Sequence, residues 1–154
     1  MLAILAAPGP DVARAANDGE VQPQLKNGRE NMRSGIELIK AFVAAFNRKD
    51  IDGIMAFFTP DAVYHNMPTQ PVTGLEQIRG VIEHFVAPAE SLDWEILAIA
   101  ETGSTVLAER LDRFVINGKP VELPVTGVFE LEGGKIKVWR DYFDAATWQR
   151  QTQD

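Results

Sequence analysis

A chain of 154 residues with 45% hydrophobic content is long enough to bury a core without help from metals or disulfides. Its 15 Lys and Arg against 22 Asp and Glu give a net charge of -7 and a pI of about 4.8, which argues against nucleic acid or an anionic membrane as partner and favours a neutral small molecule. The lack of cysteine removes thiolate nucleophiles, disulfides and Cys-based zinc or iron-sulfur sites.

Residues 1–30 read as a flexible arm, and a single domain is expected over residues 31–154. Met1 to Ala7 is apolar like the centre of a secretory leader, but no basic residue precedes it and Pro8-Gly9-Pro10 cuts it short. A cytoplasmic location is therefore expected, with secretion through a truncated leader as the alternative. No run nears the roughly 18 apolar residues of a membrane-spanning helix.

From Ser34 the pattern turns helical. Ile36, Ile39, Phe42, Val43 and Phe46 form one stripe, with Ser34 as N-cap and Glu37 three residues on. Asp50 caps a shorter helix containing Ile51, Ile54, Phe57 and Phe58, which Thr59-Pro60-Asp61 stops. A short strand, Ala62 to Asn66, follows. Thr73-Gly74-Leu75-Glu76 has the form of a capping box opening a helix whose buried side is Leu75, Ile78, Ile82 and Phe85, ending before Pro88.

Beyond Pro88 the hydrophobic period falls to two. Trp94 to Ala100, Thr105 to Ile116, Val121 to Leu131 and Ile136 to Phe143 read as strands, with hairpin turns at Asn117-Gly118 and Glu132 to Lys135. A last turn over Ala145 to Gln149 brings Trp148 across the open end. The pattern is α+β: a curved, mostly antiparallel sheet on three to four helices, enclosing an apolar pocket.

The polar residues inside that pattern carry the chemistry. Asp141 has the same alternation parity as Trp139 and Phe143, which puts a carboxylate on an apolar face. Arg110 and Asp112 share a parity with Val106, Ala108 and Phe114. The opposite parity carries Leu107, Leu111 and Val115 together with Glu109 and Arg113, so alternation alone leaves the inner face undecided, and a solvent-facing or dimer-facing Arg-Asp pair stays open. Tyr64 and Asn66 share a parity that His65 does not, in a position where ordinary turn chemistry would also place them. With two histidines at no ligand spacing, no metal site is expected. No nucleophile elbow, phosphate loop or dinucleotide fingerprint is present. Two carboxylates bridged by a guanidinium favour one shared proton, which is equipment for acid-base chemistry without a cofactor.

Y-H-N-M-P (Tyr64 to Pro68), E-R-L-D (Glu109 to Asp112) and W-R-D-Y-F-D (Trp139 to Asp144), in that order, together resemble the limonene-1,2-epoxide hydrolase family over about Ile36 to Gln149. The resemblance implies the cone-shaped fold of nuclear transport factor 2 and places Arg110, Asp112 and Phe114 inside. By position, Asp141 is similar to the family's general base, Asp112 to its general acid and Arg110 to the bridge between them. Tyr64 and Asn66 match the groups that hold the water. The family often has Gln where this chain has His65, read here as an outward-facing change. The implied substrates are a small apolar epoxide and water, with no cofactor, and a homodimer is expected. Phe46, Phe85, Phe114, Leu123, Val125 and Trp148 are the expected substrate walls. Two rival readings remain: a ketosteroid-isomerase-like or polyketide-cyclase-like enzyme, which needs a base and an oxyanion donor such as Tyr64, and a non-catalytic binding or dimerisation domain.

Overall fold

The computed structural model describes residues 34–153. The expected N-terminal arm and leader-like segment lie outside them. No helix among the described residues is long and apolar enough to cross a membrane.

Helix α1 spans Gly35–Asn47. Ser34 caps it as expected, its Oγ accepting from the Glu37 amide at 3.2 Å. The Glu101 carboxylate also accepts from the Gly35 and Ile36 amides at 3.0 and 3.3 Å, a negative group on the positive end of the helix dipole. The buried face differs slightly from the expected stripe: Leu38, Ile39, Phe42, Val43 and Phe46 are buried, while Ile36 is only half-buried. Helix α2, Ile51–Met55, is capped by Asp50.

Phe57 and Phe58 were expected in that helix, but strand β1 already starts at Phe58 and runs to Asn66. Its partner is the last strand, whose Ile136 sits opposite Phe58. Pro60 is tolerated because the register shifts between Phe58 and Val63, where the missing amide interrupts no regular ladder. A two-residue strand β2, Val72–Thr73, pairs back onto β1. Helix α3, Leu75–Val86, buries Ile78, Ile82 and Val86. The expected capping box does not form. Thr73 is held in β2, so Gly74 (φ 85°) occupies the N-cap without a side-chain bond, and Gln77 Oε1 accepts from the Thr73 amide at 3.3 Å instead. Leu75 is correspondingly exposed.

Four long strands follow: β3 Ala89–Thr102, β4 Thr105–Ile116, β5 Lys119–Glu132 and β6 Lys135–Tyr142. β3 begins five residues before the expected Trp94, since β4 offers it partners from Ile116 back to Thr105. The turn residues Asn117 (φ 53°) and Gly118 (φ 73°) both take positive φ, which a two-residue hairpin with the native twist requires. The sheet order is β2-β1-β6-β5-β4-β3, and the β1/β6 pair is parallel. The expected curved, mixed and mostly antiparallel α+β architecture is the one found. Helix α4, Ala145–Thr152, capped by Asp144, packs on β5.

On β4, Val106, Ala108, Arg110, Asp112 and Phe114 are buried toward the helices. The opposite face carries Arg113, paired with Glu95 and Glu122 at 2.8 and 3.1 Å. That settles the parity left open by the sequence. The inner face of the sheet and the helices enclose the core, led by Trp139, Phe42, Phe46, Phe58 and Phe129.

Candidate active site

Three charged side chains lie inside this core: Arg110 is 0% exposed and Asp112 and Asp141 are each 4%. Arg110 and Asp112 alternate on β4 and meet through two bonds, Nε to Oδ1 and Nη2 to Oδ2, both 3.0 Å. Asp141 stands two strands away on β6. The guanidinium reaches it with Nη1 to Oδ1 at 3.2 Å and Nη2 to Oδ2 at 2.8 Å. One planar fork therefore binds two carboxylates, a geometry that a lysine ammonium lacks.

The crossing is made possible by the intervening strand. Gly127 on β5 sits in register with Ala108 on one side and Asp141 on the other. A Cβ there would stand 2.5 Å from Arg110 Nη1 and 2.7 Å from the Phe129 ring. The glycine, flanked by strand-forming residues in Val125-Thr126-Gly127-Val128, marks a close approach of another group to the backbone. Trp94, opposite Asp112 in the β3/β4 ladder, covers the guanidinium with its ring 4.8 Å from Cζ.

Tyr64 and Asn66 project beside Asp141, Asn66 being its register partner in the parallel β1/β6 pair. The Tyr64 hydroxyl donates to Asn66 Oδ1 at 2.9 Å. That leaves the amide Nδ2 hydrogens and the phenolic lone pairs available for a third party. His65 points elsewhere, its Nε2 bonding the Thr69 carbonyl at 2.9 Å, as its opposite parity required.

Burial shifts the titrations in useful directions. Asp112 is pushed up to about 6, chiefly by desolvation with Asp141 adding, against the pull of Arg110. For Arg110 the desolvation that would lower it is outweighed by Asp141 and Asp112, so it stays charged. Burial, reinforced by the Asp141 charge, holds the Tyr64 phenol well above its ordinary value, which keeps it a neutral donor.

These groups open onto a cavity of about 470 Å³. Its lining includes Tyr64, Asn66, Asp112 and Asp141, and all six of the expected wall residues: Phe46, Phe85, Phe114, Leu123, Val125 and Trp148. Arg110 is not among them. It lies behind the two carboxylates, so it acts on them rather than on a bound molecule. Trp148 closes over Phe114 with ring centroids 5.5 Å apart. The sequence reading missed Trp94 and Val81 in the wall and the exposed His84 and Gln149 at the rim. It also missed Gly127 and the indole of Trp139, which donates to Asp141 Oδ1 at 2.6 Å. The signal for the last was present: a Trp two residues before an inward Asp brings an N–H that needs a partner when buried. No group of three or more His, Asp and Glu side chains among the described residues is arranged to hold a metal ion.

Residues 33–153 match the family described as the limonene-1,2-epoxide hydrolase catalytic domain. The chain belongs to the limonene-1,2-epoxide hydrolase family, and with it is a hydrolase. It is 32% identical to epoxide hydrolase EphG of Mycobacterium tuberculosis over 106 residues, 69% of this chain and 70% of that protein. A solved M. tuberculosis epoxide hydrolase of this type is 30% identical, with a TM-score of 0.68 over 75% of this chain and 86% of that one. A Catenulispora acidiphila protein with a ketosteroid isomerase-like fold, 24% identical, has a TM-score of 0.69 over 75% of this chain and 92% of its own. That similarity speaks to the fold alone.

Proposed function

We propose that this protein is a cofactor-independent epoxide hydrolase that adds water to a small apolar epoxide in one step, giving a vicinal diol. The observation that carries the reading is the buried Asp112-Arg110-Asp141 unit opening onto an apolar cavity. Family membership and the identity to a named epoxide hydrolase support it.

The chemistry follows from the groups present. A water held by Asn66 Nδ2 and the Tyr64 oxygen gives a proton to Asp141 while its oxygen forms a bond to one epoxide carbon. The C–O bond of that carbon breaks, its electron pair moves to the ring oxygen, and that oxygen takes the proton of Asp112. The step leaves Asp141 protonated and Asp112 ionised. Exchange with solvent through the cavity mouth restores both. Apolar walls supply the substrate's binding energy, and burial raises the Asp112 carboxyl to about 6, so that its protonated form persists to higher pH than in an exposed aspartate. An isomerase-like enzyme would aim the Tyr64 hydroxyl at a substrate oxyanion, whereas here it is donated to Asn66.

Incubation with limonene oxide, cyclohexene oxide and styrene oxide is expected to give diols. Asp112→Asn and Asp141→Asn are each expected to lose nearly all of that activity while keeping a wild-type circular dichroism spectrum. Activity within a few-fold of wild type in either variant would overturn the acid-base assignment. We also infer a homodimer through the outer face of the sheet. Leu107 and Tyr142 alternate with residues buried under the helices, and with Leu97 they remain 41%, 44% and 54% exposed. Sedimentation as a monomer at micromolar concentration would refute it.

A further inference from the structure

The Asp141 carboxylate is not symmetric. Its Oδ1 accepts from Trp139 Nε1 at 2.6 Å and from Arg110 Nη1 at 3.2 Å, whereas Oδ2 accepts from Arg110 Nη2 at 2.8 Å. Two donors occupy both lone-pair positions of Oδ1. A single position remains, on Oδ2.

The indole that makes this asymmetry cannot turn away. Trp139 is 1% exposed. Its ring stacks on Tyr64 with centroids 4.0 Å apart and on Phe129 at 5.9 Å, and Phe42 and Phe46 meet it edge-on at 5.1 and 5.8 Å. Trp139 and Asp141 alternate on one strand, so the ring and the carboxylate share a face. The same ring thus touches a water-holding residue, Tyr64, and bonds the carboxylate that would take the water's proton.

We infer that Trp139 is a positioning residue, whose indole N–H saturates Asp141 Oδ1 and makes Oδ2 the oxygen that removes the proton from water. The inference rests on the reading of Asp141 as the base. Its physical content is that a carboxylate free to rotate about its Cβ–Cγ bond offers either oxygen in many directions, while one pinned by two donors on one oxygen offers a single lone pair in a fixed direction. Proton transfer needs that alignment with the water, and the water needs alignment with the epoxide carbon. The packed core therefore sets the direction of the base, and stacking of Tyr64 on the same ring holds the water's other neighbour in the same frame.

The test is Trp139→Phe, which keeps an aromatic ring and removes the N–H, assayed with styrene oxide beside Asp141→Asn. Loss of one hydrogen bond to a charged group predicts a kcat about 10- to 100-fold below wild type. KM should stay within about threefold, because Trp139 does not line the cavity. A packing role alone would lower the melting temperature and leave kcat near wild type, and that result would overturn the inference. If Asp141→Asn itself retained activity, the acid-base reading would fail instead, so the two failures are distinguishable. Should the Phe variant not fold, the indole N–H resonances answer the same question. The protein has three tryptophans, and Trp94→Phe and Trp148→Phe assign the Trp139 signal by elimination. It should lie downfield and move upfield in Asp141→Ala. An unmoved signal would show that the bond does not form in solution, which refutes the proposal.

Discussion

As the proposed acid, Asp112 would link activity and stability through one proton, and that linkage can be measured. Its carboxyl is raised from a reference of 3.8 to about 6, mainly because burial penalises the charged form. Between those two values the folded state holds a proton that the unfolded chain has released. Stability from this group is therefore complete below the reference value and falls as pH rises through about 6. The full span of the shift corresponds to about 3 kcal/mol. Asparagine does not titrate, so Asp112→Asn should lack this decline. Urea unfolding followed by tryptophan fluorescence, run for both proteins at several pH values, would show the variant gaining about 3 kcal/mol relative to wild type across the window. Carboxylates outside the Asp112-Arg110-Asp141 unit titrate alike in both proteins and cancel in the difference. The catalytic arm of the prediction has the same sign: with protonated Asp112 as the proposed acid, kcat/KM should decline about tenfold per pH unit above about 6. Parallel stability curves for the two proteins, together with a flat kcat/KM over the same range, would refute the reasoning.

Four further outcomes follow from the geometry. Arg110→Lys, which keeps the charge and loses the fork, should lower kcat/KM by at least about 100-fold, measured by diol formation. Tyr64→Phe removes one proposed holder of the water and should cost about 1–2 kcal/mol in barrier, less than Asp141→Asn; a larger loss would point to Tyr64 as the acid. Gly127→Ala drives a methyl against Arg110 and Phe129, so denaturation should show a loss of about 1–3 kcal/mol and diol formation should fall with it. A single turnover with excess enzyme in oxygen-18 water should place the label in the diol; unlabelled diol, with label in a peptide containing Asp141, would make Asp141 a nucleophile instead.

Much of this site was legible in the sequence because it depends on strand alternation. Once β4 and β6 are strands, Arg110 shares a face with Asp112, and Asp141 with Trp139, whatever the rest of the fold does. Alternation could not say which face of β4 was inside, since Glu109 and Arg113 compete with Arg110 and Asp112; tertiary pairing of Arg113 with Glu95 and Glu122 resolves it. The errors fall where a distant partner overrides a local signal. Phe58 leaves its helix for a parallel strand 78 positions downstream, and Thr73 abandons its cap for a pairing with Val63. Gly127 was legible only in part: an isolated glycine in a strand signals that another group approaches the backbone, but not that the group is an arginine from the neighbouring strand.

The stoichiometry of the buried unit is itself an argument about purpose. One Arg with one Asp would be a neutral pair, both ionised, and a pair of well-packed apolar residues would serve stability as well or better. Here one guanidinium serves two carboxylates, so the cluster carries an excess negative charge in a site that desolvates it. Protonation relieves that excess, and it falls on Asp112, whose carboxyl is raised to about 6. Asp141 has an additional donor in Trp139, whose Nε1 lies 2.6 Å from Oδ1. The two carboxylates thus share one cation in unequal surroundings, Arg110 giving each of them two bonds and Trp139 adding a third to Asp141 alone. The proposed ring opening by water needs an acid and a base in fixed positions around one cavity. A structural ion pair would need neither the second carboxylate nor the glycine that lets the arginine reach it.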